Sequence, residues 1–141
     1  MKLSKLLRTV ELAALMTVGS LVAVTNANSD ESVQTAGSVT YVSGGVGEDS
    51  LDRLRSLAGD FNIKLVFALK SGEYLSGVGV TIADAAGKTL LDTTSEGPWF
   101  LAKLPVGNYQ IVATSGGHAV KRRIAVGAAK LRTVDFRWAT E

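Results

Sequence analysis

The sequence predicts an all-β protein, a seven-stranded antiparallel β-sandwich preceded by one short N-terminal amphipathic helix. Three observations favour this class. From Asn62 onward, apolar and polar residues alternate with a period of two, as in strands that bury one face. Turn signals rich in Gly, Asp and Ser separate these runs at intervals of about ten residues. No run with helical spacing lies between them, which favours an antiparallel sandwich over a parallel α/β sheet.

The chain of 141 residues divides into four segments of different composition. Its length suffices for one domain with a hydrophobic core and is too small for two well-buried domains. We predict a signal peptide over 1–27, a flexible arm over 28–47, a short helix over 48–60 and the sandwich domain over 61–139.

The first segment has the three-part form of a secretory signal peptide. Three basic residues precede an apolar stretch from Leu12 to Val24, and Thr25-Asn26-Ala27 supplies small residues for cleavage. An uncleaved membrane anchor is the alternative, but the stretch has about 13 residues where a spanning helix needs about 20. We therefore expect cleavage after Ala27, no membrane span once the leader is removed, and a periplasmic or secreted protein.

The arm is rich in Ser, Gly, Asn and Thr and has no sustained period, which is typical of a linker. Tyr41 and Val42 could nevertheless form a short edge strand.

The short helix is expected to begin with Asp49 as its N-cap and to end at Gly59. Its apolar residues recur at helical spacing: Leu51, Leu54, Leu57 and Ala58. A helix of about ten residues is not stable alone. We expect the leucine stripe to pack on its own domain rather than on a partner.

The seven predicted strands follow one another with short turns. They are 62–70, 78–83, 89–94, 99–104, 108–115, 118–126 and 132–138. Gly116-Gly117 is a two-residue hairpin signal, because both central positions of a type I′ turn require positive φ. The two prolines, Pro98 and Pro105, fall at a strand start and in a turn, which suits a sandwich.

The charge balance and the lack of cysteine exclude several classes of function. Three of the fifteen basic residues and one of the thirteen acidic ones lie in the leader, which leaves twelve of each sign. A neutral mature chain does not favour nucleic-acid binding, which needs a basic face. Without cysteine there is no disulfide, thiolate zinc site or thiol nucleophile.

The run Phe100-Leu101-Ala102-Lys103-Leu104-Pro105-Val106-Gly107-Asn108-Tyr109-Gln110-Ile111, followed by Gly117 and Ile124-Ala125-Val126, resembles the carboxypeptidase regulatory-like domains of the transthyretin-like and Cna-B-like sandwiches. The resemblance covers about 62–138 and implies a seven-stranded sandwich that serves as an accessory, binding or structural module. It implies no peptidase activity. One enzymatic branch of that fold hydrolyses 5-hydroxyisourate with several histidines and a C-terminal Tyr-Arg-Gly-Ser, which this chain lacks.

Neither a catalytic nor a metal or cofactor site is predicted. His118 is the single histidine and follows the Gly116-Gly117 turn, so it lacks the partners that a metal site or a serine nucleophile needs. Pairs such as Asp84 and Asp92 are interpreted as turn and surface charges, and we predict that the protein is not an enzyme.

The run Lys121-Arg122-Arg123 could bind an anionic lipid or polysaccharide. On a strand, however, Arg122 points to the face opposite its two neighbours, so it needs an acidic partner or a place near the sheet edge. We interpret the run as an edge strand with protective charges.

The candidate binding residues are Trp99, Tyr74 and Leu101. If Phe100 faces the core, then Trp99 and Leu101 face outward, where an aromatic ring could stack on a sugar or anchor a protein. The competing interpretation is that the leucine stripe of the helix covers Trp99, since a large exposed apolar pair promotes aggregation.

We expect a non-catalytic exported module for protein binding or assembly in the bacterial envelope. The alternative is a carbohydrate-binding module that uses an exposed aromatic residue such as Trp99. The partner is accordingly expected to be an envelope protein or a polysaccharide, and the sequence does not identify it.

Overall fold

The computed structural model describes residues 32–127 and 131–140, so the predicted signal peptide lies outside the described residues. Within them, the chain forms nine strands, one α-helix and one 3₁₀ turn. In order, these are β1 (Gln34–Ala36), β2 (Val39–Gly44), α1 (Glu48–Leu57), the 3₁₀ turn (Ala58–Asp60), β3 (Ile63–Leu69), β4 (Val78–Asp84), β5 (Thr89–Ser95), β6 (Trp99–Lys103), β7 (Gly107–Ser115), β8 (His118–Val126) and β9 (Arg132–Trp138).

The strands form two sheets, which confirms the all-β, sandwich-like class. Sheet I has the order β9-β3-β6-β2-β1 and sheet II has the order β5-β4-β7-β8. The described residues contain nine strands, not the seven predicted. The two additional strands, β1 and β2, lie where a flexible arm was expected, and β2 pairs with both β1 and β6. A short edge strand at Tyr41 and Val42 was the alternative to a flexible arm, but β2 lies inside sheet I between β1 and β6, and β1 was not expected.

The prediction of a fully antiparallel sandwich is wrong for one pair of strands. β9 runs parallel to β3, with Arg132 opposite Ile63 and Trp138 opposite Leu69. β9 starts beside the end of β8, where the Arg132 guanidinium donates a hydrogen bond of 3.1 Å to the Ala125 carbonyl. At its other end the Trp138 indole contacts the His118 carbonyl, so β9 runs antiparallel to β8 of sheet II although it pairs with β3 in sheet I.

The core between the sheets is built from the predicted inward faces of the strands. Phe67, Phe100 and Phe136 are fully buried there, and Trp138 is nearly so. The Phe67 ring centroid lies 5.7 Å from that of Phe136 and 6.3 Å from that of Trp138, distances at which aromatic pairs attract. Burying each of these rings contributes about 2–3 kcal/mol.

The turn between β6 and β7 is fastened by side chains. The Tyr109 hydroxyl donates a hydrogen bond to the Pro105 carbonyl, and the Asn62 amide exchanges two hydrogen bonds with the backbone of Leu104. Burial raises the pKa of Tyr109, and the charge of Asp84 raises it further. These contacts give Pro105 and Tyr109 a structural role.

The helix packs on the outer face of sheet I, as predicted for its leucine stripe. Leu54 is fully buried in a second cluster with Val42, Leu101 and Phe61. The expected caps differ, because Gly47 with φ of 90° takes the N-cap position and the helix passes into a 3₁₀ turn before Gly59 can end it. Asp49 instead lies in the first turn, where its negative charge interacts favourably with the positive end of the helix dipole.

Candidate functional site

Trp99, the first residue of β6, is partly covered by the helix. Its side chain packs against the cluster that contains Leu54 and Leu101, and it is half-buried. Leu57 and Ala58 pack against the same cluster. The helix therefore lies over the face on which Trp99 was expected to be exposed.

Two cationic side chains lie over the ring of Trp99. The Lys64 ammonium lies 3.3 Å from the ring centroid and the Arg55 guanidinium carbon lies 5.7 Å from it. Burial lowers the pKa of Lys64, the charge of Arg55 lowers it further, and Asp135 acts in the opposite direction. A sugar that stacks on this ring would have to displace Lys64.

Leu101 and Tyr74 have opposite environments. Leu101 is fully buried beneath the helix, so it anchors the helix and presents no surface to a partner. Tyr74 is 61% exposed in the turn after β3, where its backbone bridges to Ala68. Within the described part of the chain no ring contact joins Tyr74 to Trp99, so the three candidates do not form one site.

His118 begins β8, directly after the predicted hairpin turn. Gly116 and Gly117 have φ of 55° and 81°, as a type I′ turn requires. The His118 side chain is exposed, while its carbonyl accepts a hydrogen bond of 2.9 Å from the Trp138 indole. Across residues 32–127 and 131–140, no three His, Cys, Asp or Glu side chains converge in a way that could hold a metal ion.

A cavity of about 660 Å³ lies against the outer face of sheet II, beside the turn between β4 and β5. Its polar lining includes Thr81, Asn108, Gln110 and Arg123. Asp84 also lines it, but its carboxylate holds the turn by accepting from the backbone N–H groups of residues 86 and 88 at 3.0 and 2.9 Å. The lining can donate and accept hydrogen bonds, and the Thr81 hydroxyl donates one of 3.3 Å to the Asp92 carboxylate.

A second cleft, of about 410 Å³, lies between the edge strands β8 and β9. We call it the arginine cleft, and its lining residues are Arg122, Arg123, Ile124, Arg132, Thr133, Val134 and Asp135. The three arginines are exposed, and none forms an ion pair within the described residues. Arg122 has the edge position that the sequence required of it, and its guanidinium carbon lies 5.8 Å from the Phe136 ring centroid.

Sequence reasoning did not find this cleft, because half of it belongs to β9. The run Lys121-Arg122-Arg123 was visible, but its splitting across two faces argued against a patch. Arg132 and Asp135 join it only because β9 ends sheet I beside the edge of sheet II. The signal available in the sequence was a second basic strand following the first after a short connection.

Within the described residues, no helix combines the length and apolar character needed to span a bilayer. No family model and no curated protein matches the sequence.

Proposed function

We propose that the protein is a non-catalytic exported module that binds a protein partner in the bacterial envelope. The observation that carries this proposal is the open edge of sheet II. β8 has nine residues, and β7 is its only strand partner among the described residues, so no described strand pairs with the side of β8 that faces away from β7. We also propose membership of the carboxypeptidase regulatory-like domains, supported by the Pro105–Tyr109 turn.

The proposal is tested by photo-crosslinking in the envelope. A benzoylphenylalanine in place of Ala119, which is exposed on β8, should give a crosslinked protein adduct. The same residue in place of Lys88, exposed in the turn between β4 and β5, is the matched control. Equal adducts at the two positions, or none at Ala119, would contradict a partner at this edge.

Export is tested separately by sequencing the N-terminus of the protein recovered from the envelope. Cleavage after Ala27 would leave Asn28 as the first residue. A protein that still begins at Met1 would contradict the signal-peptide proposal.

Carbohydrate binding is the second candidate function, and among the three candidate binding residues the exposure of Tyr74 favours it there rather than at Trp99. Tyr74 is 61% exposed, whereas Lys64 lies over the ring of Trp99. Binding on a glycan array that Tyr74→Ala abolishes and Trp99→Phe retains would support this candidate. No binding to any glycan would remove it.

A further inference from the structure

The two edge strands β8 and β9 lie side by side and are tied at both ends. At one end the Arg132 guanidinium donates to the Ala125 carbonyl at 3.1 Å. At the other, the Trp138 indole donates to the His118 carbonyl at 2.9 Å. Each strand has only one neighbour in its own sheet among the described residues. The two hydrogen bonds therefore hold β9 beside β8, and neither strand has a second strand partner among the described residues.

The backbone of β8 offers hydrogen-bonding groups between these ties. Ser115 and His118 pair across the two-residue turn, so the backbone groups of His118 point toward β7 and those of Ala125, seven positions on, point away from it. Backbone groups of a strand alternate in direction with a period of two, so those of Lys121 and Arg123 face the same way. Edge groups of this kind pair with an added strand.

The side chains around this edge are cationic. Arg122, Arg123 and Arg132 line the arginine cleft against a single acid, Asp135. Guanidinium groups bind carboxylates with two parallel hydrogen bonds, and none of these three has a carboxylate partner among the described residues. The edge therefore favours an anionic occupant.

The floor of the cleft is apolar. Ile124 and Val134 line it and are 6% and 7% exposed. Both residues belong to the hydrophobic core between the sheets, so the cleft reaches down to that core. Arg122 lies on the same face of β8 as Ile124, and Arg123 lies on the opposite face, so an extended segment reaches all the arginines only when it carries acidic side chains on both of its faces.

We propose that β8 accepts an acidic, extended segment of a protein partner as an added strand of sheet II. The segment's carboxylates pair with Arg122, Arg123 and Arg132. This inference rests on the proposed function, because it names the chemistry of the partner's contact. A polysaccharide fits less well, because it lacks the regularly spaced amide groups of a strand and the cleft lining contains no aromatic ring for a sugar to stack on.

The test measures binding of the full protein to a fluorescent ten-residue peptide that repeats Glu-Glu-Val-Val, so that both faces of the extended peptide carry carboxylates. We expect saturable binding, and we expect R122Q/R123Q to weaken it about fivefold or more, since two charge-assisted contacts are lost. Lys88→Gln, which removes an exposed charge outside the cleft, should change the affinity by less than about twofold. The thermal unfolding midpoints of the variants establish that they fold.

Three further probes separate strand addition from simple charge attraction. A peptide with Lys in place of Glu should not bind. The Glu peptide is also made in two versions, each N-methylated at one of the two alternating sets of amides. The version that lacks the N–H groups facing β8 should bind about tenfold or more weakly, because those backbone donors are gone. Polygalacturonate is the polysaccharide probe, and binding of it with no binding of the Glu peptide would overturn the proposal.

Unchanged binding of both N-methylated versions, or of R122Q/R123Q, would overturn it as well. These failures are distinguishable from failure of the proposed function. An adduct at Ala119 together with no binding of the Glu peptide leaves a protein partner but removes the acidic strand. Absence of that adduct removes the partner itself.

Discussion

The outer faces of the two sheets are built by the same alternation of residues but carry different side chains. The outward positions of sheet I include Val42, Trp99 and Leu101, and α1 packs over them. Those of sheet II include Thr81, Gln110 and Lys121, and no described helix lies there. The outward side chains of sheet I are apolar, so they are stabilised by a helix that shields them from water.

This difference also separates the two regions by role. On sheet I, the one large aromatic candidate is used to dock the helix and hold Lys64. On the sheet II side, the polar cavity and the arginine cleft remain open to solvent. We expect substitutions over sheet I to change stability and those at the β8 edge to change binding.

The largest expected effect comes from removing the helix anchor. Leu54→Ala should lower the free energy of unfolding by about 2–5 kcal/mol, because the side chain is fully buried and leaves a cavity. Val112→Ala is the matched control on the uncovered face of sheet II, where Val112 is half-buried, and should cost less than about 1 kcal/mol. Urea unfolding measures both. Similar losses would mean that the two faces do not differ in how they contribute to stability.

The sequence predicted this comparison in part. The strands 118–126 and 132–138 were predicted with the bounds that the structure has, because β-branched and aromatic residues alternate there between clear turns. Leu54 was placed on the buried stripe for the same kind of reason, a regular period. Regular local patterns were therefore sufficient for the elements themselves.

What the sequence could not predict depends on how distant elements meet. The parallel pairing of β9 with β3 brings Arg132 to the edge of β8, and no local pattern encodes that pairing. Similarly, Lys64 and Trp99 are separated by thirty-five positions but lie within 3.3 Å. Leu101 was expected to be available to a partner because it lies on the face of its strand opposite the core residue Phe100. It is buried because α1 packs over that face.

A smaller effect is expected at the contact between Lys64 and Trp99. A double-mutant cycle of Lys64→Met and Trp99→Leu should give a coupling free energy of about 1 kcal/mol, typical of a cation over an indole ring. The same cycle with Lys88→Met, an exposed lysine in the turn between β4 and β5, should give no measurable coupling. Equal coupling in the two cycles would show that the ring and Lys64 act independently.

The smallest effect, the dependence of stability on pH, decides which force on Lys64 is stronger. Burial and Arg55 lower its pKa, whereas attraction to the ring favours the charged form. With the folded pKa below 10.5, the unfolded chain binds more protons between those two values, so stability from this residue rises with pH across that window. The free energy of unfolding of the native protein, minus that of Lys64→Met, should therefore increase as pH rises toward 10.5. Tyr109 has the opposite effect on stability, but it cancels in this difference because both proteins contain it. A difference that shrinks instead would mean that the Trp99 ring holds the charged ammonium more strongly than burial opposes it.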